Sequence, residues 1–174
     1  KRKSPKDIDF RVGEADKLSF IKDKSIDKAI IILAIQNILN IDAVFGECAR
    51  VLKKGGKLFM VLNHPAFRIP QSSSWGWDEE NKIQYRRVDG YLSESKVKIQ
   101  MHPGDNPSEY TISFHRSLQV YFKSLRKNNF LVSRLEEWVS DKQSEKGPRQ
   151  HAEDQSRKEI PLFLFLESTL CDSI

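Results

Sequence analysis

The seven-residue run Ala29-Ile30-Ile31-Ile32-Leu33-Ala34-Ile35 constrains this chain more than any other feature. It is unbroken by polar residues, rich in β-branched side chains, and too short for a helix. It is therefore expected to form a parallel strand covered on both faces at the centre of a sheet. Asp42 can cap a helix whose apolar Val44, Phe45, Cys48, Val51 and Leu52 recur on one stripe, and Gly55-Gly56 supplies its stop. Lys57 to Leu62 gives a second apolar strand. Strand, helix, strand is a βαβ unit, which implies parallel pairing through a right-handed crossover. The fold class that follows is α/β.

Around this unit the pattern changes. Ile8, Phe10 and Val12 alternate with polar residues and run into Gly13, which suggests a short strand ending at a turn. Between Asn63 and His115 prolines, serines and tryptophans mix with alternating segments at Tyr85 to Tyr91 and Lys96 to Met101. Residues 64–115 are thus expected to be a small β-rich insertion on the substrate side of one domain that fills 1–174. Ser117 can open a second helix with Leu118, Tyr121, Phe122 and Leu125 on one face, ending near Asn128-Asn129. Phe130 to Trp138 and Ile160 to Leu170 read as strands, and the charged stretch Asp141 to Glu159 as a mobile loop or frayed helix.

At 174 residues and 39% hydrophobic content the chain can bury one core but not two. Its apolar residues form short runs, none near the roughly 20 residues that a bilayer-spanning helix needs. A net charge of +5 permits attraction to nucleic acid, but the basic residues are scattered among acids, and the runs Lys1 to Lys6 and Lys53-Lys54 read as solvated surface. Nucleic-acid binding is not expected. Two cysteines in unlike contexts and no apolar leader fit a reducing cytoplasm. The opening Lys1-Arg2-Lys3-Ser4-Pro5-Lys6 reads like the approach to a strand already inside a fold, so the chain is expected to begin mid-protein. Nothing marks an oligomeric state.

Four stretches carry a resemblance. Gly13-Glu14-Ala15-Asp16-Lys17-Leu18-Ser19-Phe20 is similar to a Gly-Asp-Ala-x-x-Leu-Pro-Phe turn, and Ser25-Ile26-Asp27 leading to Leu33-Ala34-Ile35-Gln36-Asn37-Ile38 to a Ser-Phe-Asp strand ending in Leu-Ala-Leu-Gln-His-Ile. Arg50-Val51-Leu52-Lys53-Lys54-Gly55-Gly56-Lys57 resembles an Arg-Val-Leu-Lys-Pro-Gly-Gly turn, and Asn63-His64-Pro65-Ala66-Phe67-Arg68-Ile69-Pro70 a His-Pro-x-Phe-Arg-Ile-Pro loop. In this order they resemble the small-molecule branch of the class I S-adenosylmethionine-dependent methyltransferases, the group that includes quinone-biosynthesis enzymes. The resemblance implies a Rossmann-like, mostly parallel seven-stranded sheet with an antiparallel final hairpin, here Phe130 to Trp138 with Ile160 to Leu170. Two departures stand out. Glu14 replaces the family's adenine-binding Asp, one methylene shorter, and none of the eight glycines forms a G-x-G-x-x-G turn after a strand. The sequence therefore reads as an N-terminally truncated member.

The activity implied is methyl transfer from S-adenosylmethionine to a small organic acceptor. The resemblance places Glu14 and Ala15 beside the adenine, and Leu33, Ala34 and Gln36 beside the methionine part; for Leu33 and Ala34 plain core packing is the alternative. Asn63, Arg68, Trp75 and Tyr85 are expected to face the acceptor. His64 sits in a proline-braced loop where its imidazole could serve as a general base, or could merely bond to backbone. Arg68 could clamp a carboxylate or phosphate, or tie the insertion to an acid such as Asp78. Trp75, Trp77, Tyr85 and Tyr91 could line an aromatic pocket or form the small core of the insertion. His102-Pro103-Gly104, His115-Arg116 and the cysteines match no metal-ligand spacing, so no metal is expected. The competing reading is a non-catalytic or split α/β domain that binds a protein partner.

Overall fold

The computed structural model describes residues 8–102 and 106–172. Its elements run in the order β1 (Ile26–Ile32), a 3-10 turn (Ile35–Asn37), α1 (Ile41–Val51), β2 (Leu52–Asn63), β3 (Ser73–Asp78), β4 (Ile83–Val88), β5 (Ser95–His102), β6 (Asn106–His115), α2 (Leu118–Lys127), β7 (Phe130–Trp138), α3 (Gln150–Glu159) and β8 (Phe163–Leu170). The main sheet has the order β1-β2-β8-β7, with β1 parallel to β2 and the other two pairings antiparallel. The α/β class and the final antiparallel hairpin stand as the sequence implies, and two separate hairpins, β3-β4 and β5-β6, fill the stretch between β2 and α2.

The period-2 alternation of β2 sets the core. Leu58, Met60 and Leu62 point to one face, where α1 lays down Val44, Phe45 and Cys48, α2 adds Tyr121 and Leu125, and β8 supplies Leu164 and Leu166. Each such side chain contributes about 1.5–3 kcal/mol on leaving water. The opposite face carries a thinner aromatic layer, with Phe165 stacked 5.2 Å from Trp138 and 6.4 Å from Phe59.

Four expectations are corrected. The run around Ile30 forms an edge strand rather than the sheet centre. One side of β1 pairs with β2, and Ile30 and Ile32, on the face away from the helices, are 66% and 62% exposed, because no second layer covers them among the described residues. Ile8 to Val12 forms no strand, since no neighbour offers it a ladder, and Val12 is fully exposed. The cap of α1 is Asn40, whose side chain accepts the Ala43 N–H at 3.0 Å, while Asp42 reaches across to Ser124 and Lys127 of α2. Gly55-Gly56 does not stop α1, which ends at Val51. The glycines sit where the register jumps from Ile26 opposite Leu52 to Lys28 opposite Lys57, and the φ of +73° at Gly55 suits that bulge. The stretch after β7 resolves into a helix, α3, with no buried residue.

Candidate functional site

Ligands of open α/β sheets gather at the carboxyl ends of the parallel strands, and here that edge is built with care. Leu33 follows β1 with φ +49°, a left-handed conformation costly for a branched residue, and its N–H donates to Val61 O at 2.7 Å. The turn throws Leu33 and Ala34 outward, both exposed, while Ile35 plunges into the core at 0% exposure. Core packing therefore does not account for Leu33 and Ala34. Gln36 folds back so that its Nε2 donates to Leu33 O at 2.8 Å, which fixes its amide orientation. Its Oε1 is left buried without a partner.

The loop after β2 is organised by His64. The ring is 1% exposed; its Nδ1 accepts N–H bonds from Ala66 and Phe67 at 3.1 and 3.3 Å, and Nε2 stands 2.9 Å from Glu137 Oε1. A ring that accepts at Nδ1 carries its proton on Nε2 and donates it to Glu137. Burial pushes its pKa below the usual value, with Glu137 opposing. A general base needs an open nitrogen, and this ring offers none, which corrects the catalytic expectation for His64. Its work is to shape the 64–70 loop, along with Arg68 N–H donating to His64 O at 2.8 Å and Arg86 donating to Phe67 O at 2.7 Å.

That loop closes one wall of a narrow cleft lined by Gln36, Asn63, Arg68, His115, Arg116 and Tyr121. Arg68 extends over the Phe163 ring at 5.1 Å and forms no side-chain hydrogen bond or ion pair among the described residues. Asp78, the alternative partner named for it, is engaged by Glu80, Asn81 and the latter's side chain. Arg116 is 5% exposed and donates from Nη2 to Ile38 O at 3.0 Å and Leu39 O at 2.6 Å. Its Nη1 has no partner, and the nearest acid, Glu94, stands 4.0 Å from Nε. His115 bonds to Tyr91 O at 2.8 Å, and the Tyr91 hydroxyl accepts the Leu118 N–H at 3.1 Å, so both are spent on fixing the start of α2. The role of Arg116 and Tyr121 in this cleft was not legible in the sequence beyond the bare His-Arg pair before a helix cap, because Tyr121 matches the core-facing stripe of α2 equally well.

The other selected residues sit elsewhere. Glu14 and Ala15 lie exposed on a loop that α1 holds down: Glu47 accepts the Leu18 N–H at 2.7 Å, and Arg50 donates to Leu18 O at 2.9 Å and to Ile21 O at 3.0 Å while pairing with Asp23 and Glu47. Trp75 and Tyr85 do not line the cleft. Trp75 packs with Arg86 and Arg157, Tyr85 covers Gly76, and Ser156 of α3 donates to Gln84 O at 2.8 Å, so this hairpin and α3 form a small layer of their own. A wider hollow between Lys142 and Arg157 is lined by none of the strand-end residues. Among the described residues no three His, Cys, Asp or Glu side chains gather to hold a metal ion. His102-Pro103-Gly104 falls largely outside the described residues.

A family model described as "Methyltransferase domain" matches residues 1–60. The chain is similar in structure to a candidate S-adenosylmethionine-dependent methyltransferase from Listeria monocytogenes, with TM-score 0.73 and 21% identity over 98% of this chain and 73% of that one. It is also similar to an S-adenosylmethionine-dependent methyltransferase from Mesorhizobium loti, with TM-score 0.68 and 21% identity over 90% of this chain and 67% of that one. A third likeness, at TM-score 0.61 and 16% identity over 98% of this chain and 65% of that one, is to a complex of the Haloferax volcanii Trm112 methyltransferase activator with a candidate methyltransferase. A search of curated proteins finds no match.

Proposed function

We propose that this chain, which has the class I S-adenosylmethionine-dependent methyltransferase fold and whose residues 1–60 match the methyltransferase-domain model, acts in methyl transfer to a small organic acceptor. The observation that carries the reading is the convergence of Leu33, Gln36 and Asn63 at the carboxyl ends of a parallel strand pair, beside a narrow cleft that Gln36 and Asn63 line. When bound, S-adenosylmethionine supplies an electrophilic methyl on a sulfonium, whose in-line displacement depends on alignment more than on covalent help.

The residues present fit one side of that cofactor. The exposed Glu14 carboxylate forms no hydrogen bond or ion pair among the described residues and is free to accept an amino N–H of adenine, with Ala15 N–H beside it. Exposed Leu33 and Ala34 offer apolar contact to the methionine part, and Gln36 is tied beside them by the bond from its Nε2 to Leu33 O. On the acceptor side, Asn63 and Arg68 line the cleft. His64 positions their loop. Isothermal titration of S-adenosylhomocysteine into the full chain tests the reading: saturable binding, weakened about tenfold or less by Glu14→Ala, as suits the loss of one charge-assisted hydrogen bond, is expected. Absence of binding to the folded chain would overturn it.

A further inference from the structure

Three features of the cleft remain without an internal purpose: the orphaned Nη1 of Arg116, the orphaned Oε1 of Gln36, and the unpaired guanidinium of Arg68 at the mouth. A buried cation is expensive unless it is paired. Arg116 is 5% exposed; two carbonyl oxygens accept from Nη2, Glu94 stands 4.0 Å from Nε and the Tyr121 hydroxyl lies beside the guanidinium, which leaves Nη1 without a hydrogen-bond partner. No carboxylate lines the cleft, and Glu94 at 4.0 Å from Nε is beyond hydrogen-bonding reach. Arg116 has only the long ion pair with Glu94 and Arg68 has none among the described residues, so the wall carries positive charge that its own acids offset only in part. The space is slight, about 20 Å³, so it favours a small polar head group over a bulky one. Gln36 Oε1, held as an acceptor by the Nε2 bond to Leu33 O, asks in turn for an O–H or N–H.

We propose that this cleft is a carboxylate subsite: the acceptor is a small carboxylic acid whose carboxylate sits between Arg68 and Arg116 and whose hydroxyl or amino group donates to Gln36 Oε1. Calling the ligand the methyl acceptor rests on the methyl-transfer reading; the subsite itself rests only on the cleft. Arginine suits the task, since its planar fork engages both carboxylate oxygens.

The test uses the full chain with ¹⁵N-labelled arginine, followed by NMR at constant ionic strength while sodium acetate, sodium phosphate or sodium chloride is added. Acetate is expected to shift two arginine Nε–Hε signals saturably, with the apparent Kd raised at least tenfold in Arg68→Gln, whose exposed site leaves folding intact. Arg116→Lys is expected to abolish saturation; should that variant fail to fold, Arg68→Gln decides alone. Absence of a saturable shift, an equal response to phosphate, or an unchanged Kd in Arg68→Gln would overturn the subsite. S-Adenosylhomocysteine binding, measured on the same samples, separates the two claims: acetate binding without it would sink the methyltransferase reading and leave the subsite standing, and the reverse result would do the opposite.

Discussion

Burial and two accepted N–H bonds keep the His64 ring neutral, and that has a consequence for stability. Its folded pKa lies below the ordinary 6.5, so below about that pH the unfolded chain binds a proton that the folded ring resists. Stability contributed by the neutral ring is therefore present above pH 6.5 and lost as pH falls below it. The urea midpoint is expected to drop between pH 7.5 and pH 5.5, and His64→Gln to flatten that slope while lowering stability at pH 7.5; an unchanged slope would contradict the assignment. Cys48 makes a second residue-scale case. Burial, with Glu47 adding a smaller push, raises its thiol to about 11, so the native protein at pH 8 should react with an aromatic disulfide at Cys171 alone and give a second thiol only after denaturation. Two fast thiols in the native state would show that α1 does not pack as described.

Helix α1 works at both ends. Its start depends on Asn40, and Asn40→Ala is expected to cost about 1 kcal/mol in chemical denaturation, the usual worth of such a cap. On its outer side Glu47 and Arg50 tie down the loop that carries Glu14; Arg50 holds the Glu47 carboxyl below its ordinary pKa. Glu47→Ala should speed hydrogen exchange at the Leu18 amide more than tenfold and leave the amides of β2 unchanged. Element types were largely readable because their apolar periods differ: β2, α2, β7 and β8 fall where period 2 or period 3.6 predicts. Caps and ends were not, since Asp42 and Asn40 are equally good cap residues by type, and only the path of α2 explains why Asp42 is drawn to Lys127. The α3 helix was half-legible, because a polar segment that buries nothing has no periodic signal to read.

For the whole molecule the dominant feature among the described residues is the edge at β1, which pairs with β2 on one side alone and leaves Ile30 and Ile32 exposed. Such an edge invites pairing with another strand. The 174-residue chain is expected to self-associate with rising concentration, and Ile30→Lys to reduce that association in sedimentation velocity without loss of the folded spectrum. Concentration-independent monomers would contradict the expectation.

By itself the sequence determined the α/β class, the βαβ unit and the last two strands, because these follow from local periodicity and from turn residues that act within a few positions; the pairing of those strands into a hairpin and the site positions of Leu33 and Gln36 were implied by the family resemblance. The sequence also marked His64 and Arg68 as residues to watch. Only the tertiary structure decided what each of them does. The ring of His64 was closed off by Glu137, a residue 73 positions away, and Arg116 was brought to Gln36 by a hairpin whose register no local pattern encodes. Trp75 and Tyr85 were carried to α3 instead of the cleft by the same long-range folding. Whether a polar side chain is spent on the fold or left free for a ligand depends on partners distant in the chain, and those partners are fixed only when the layers pack.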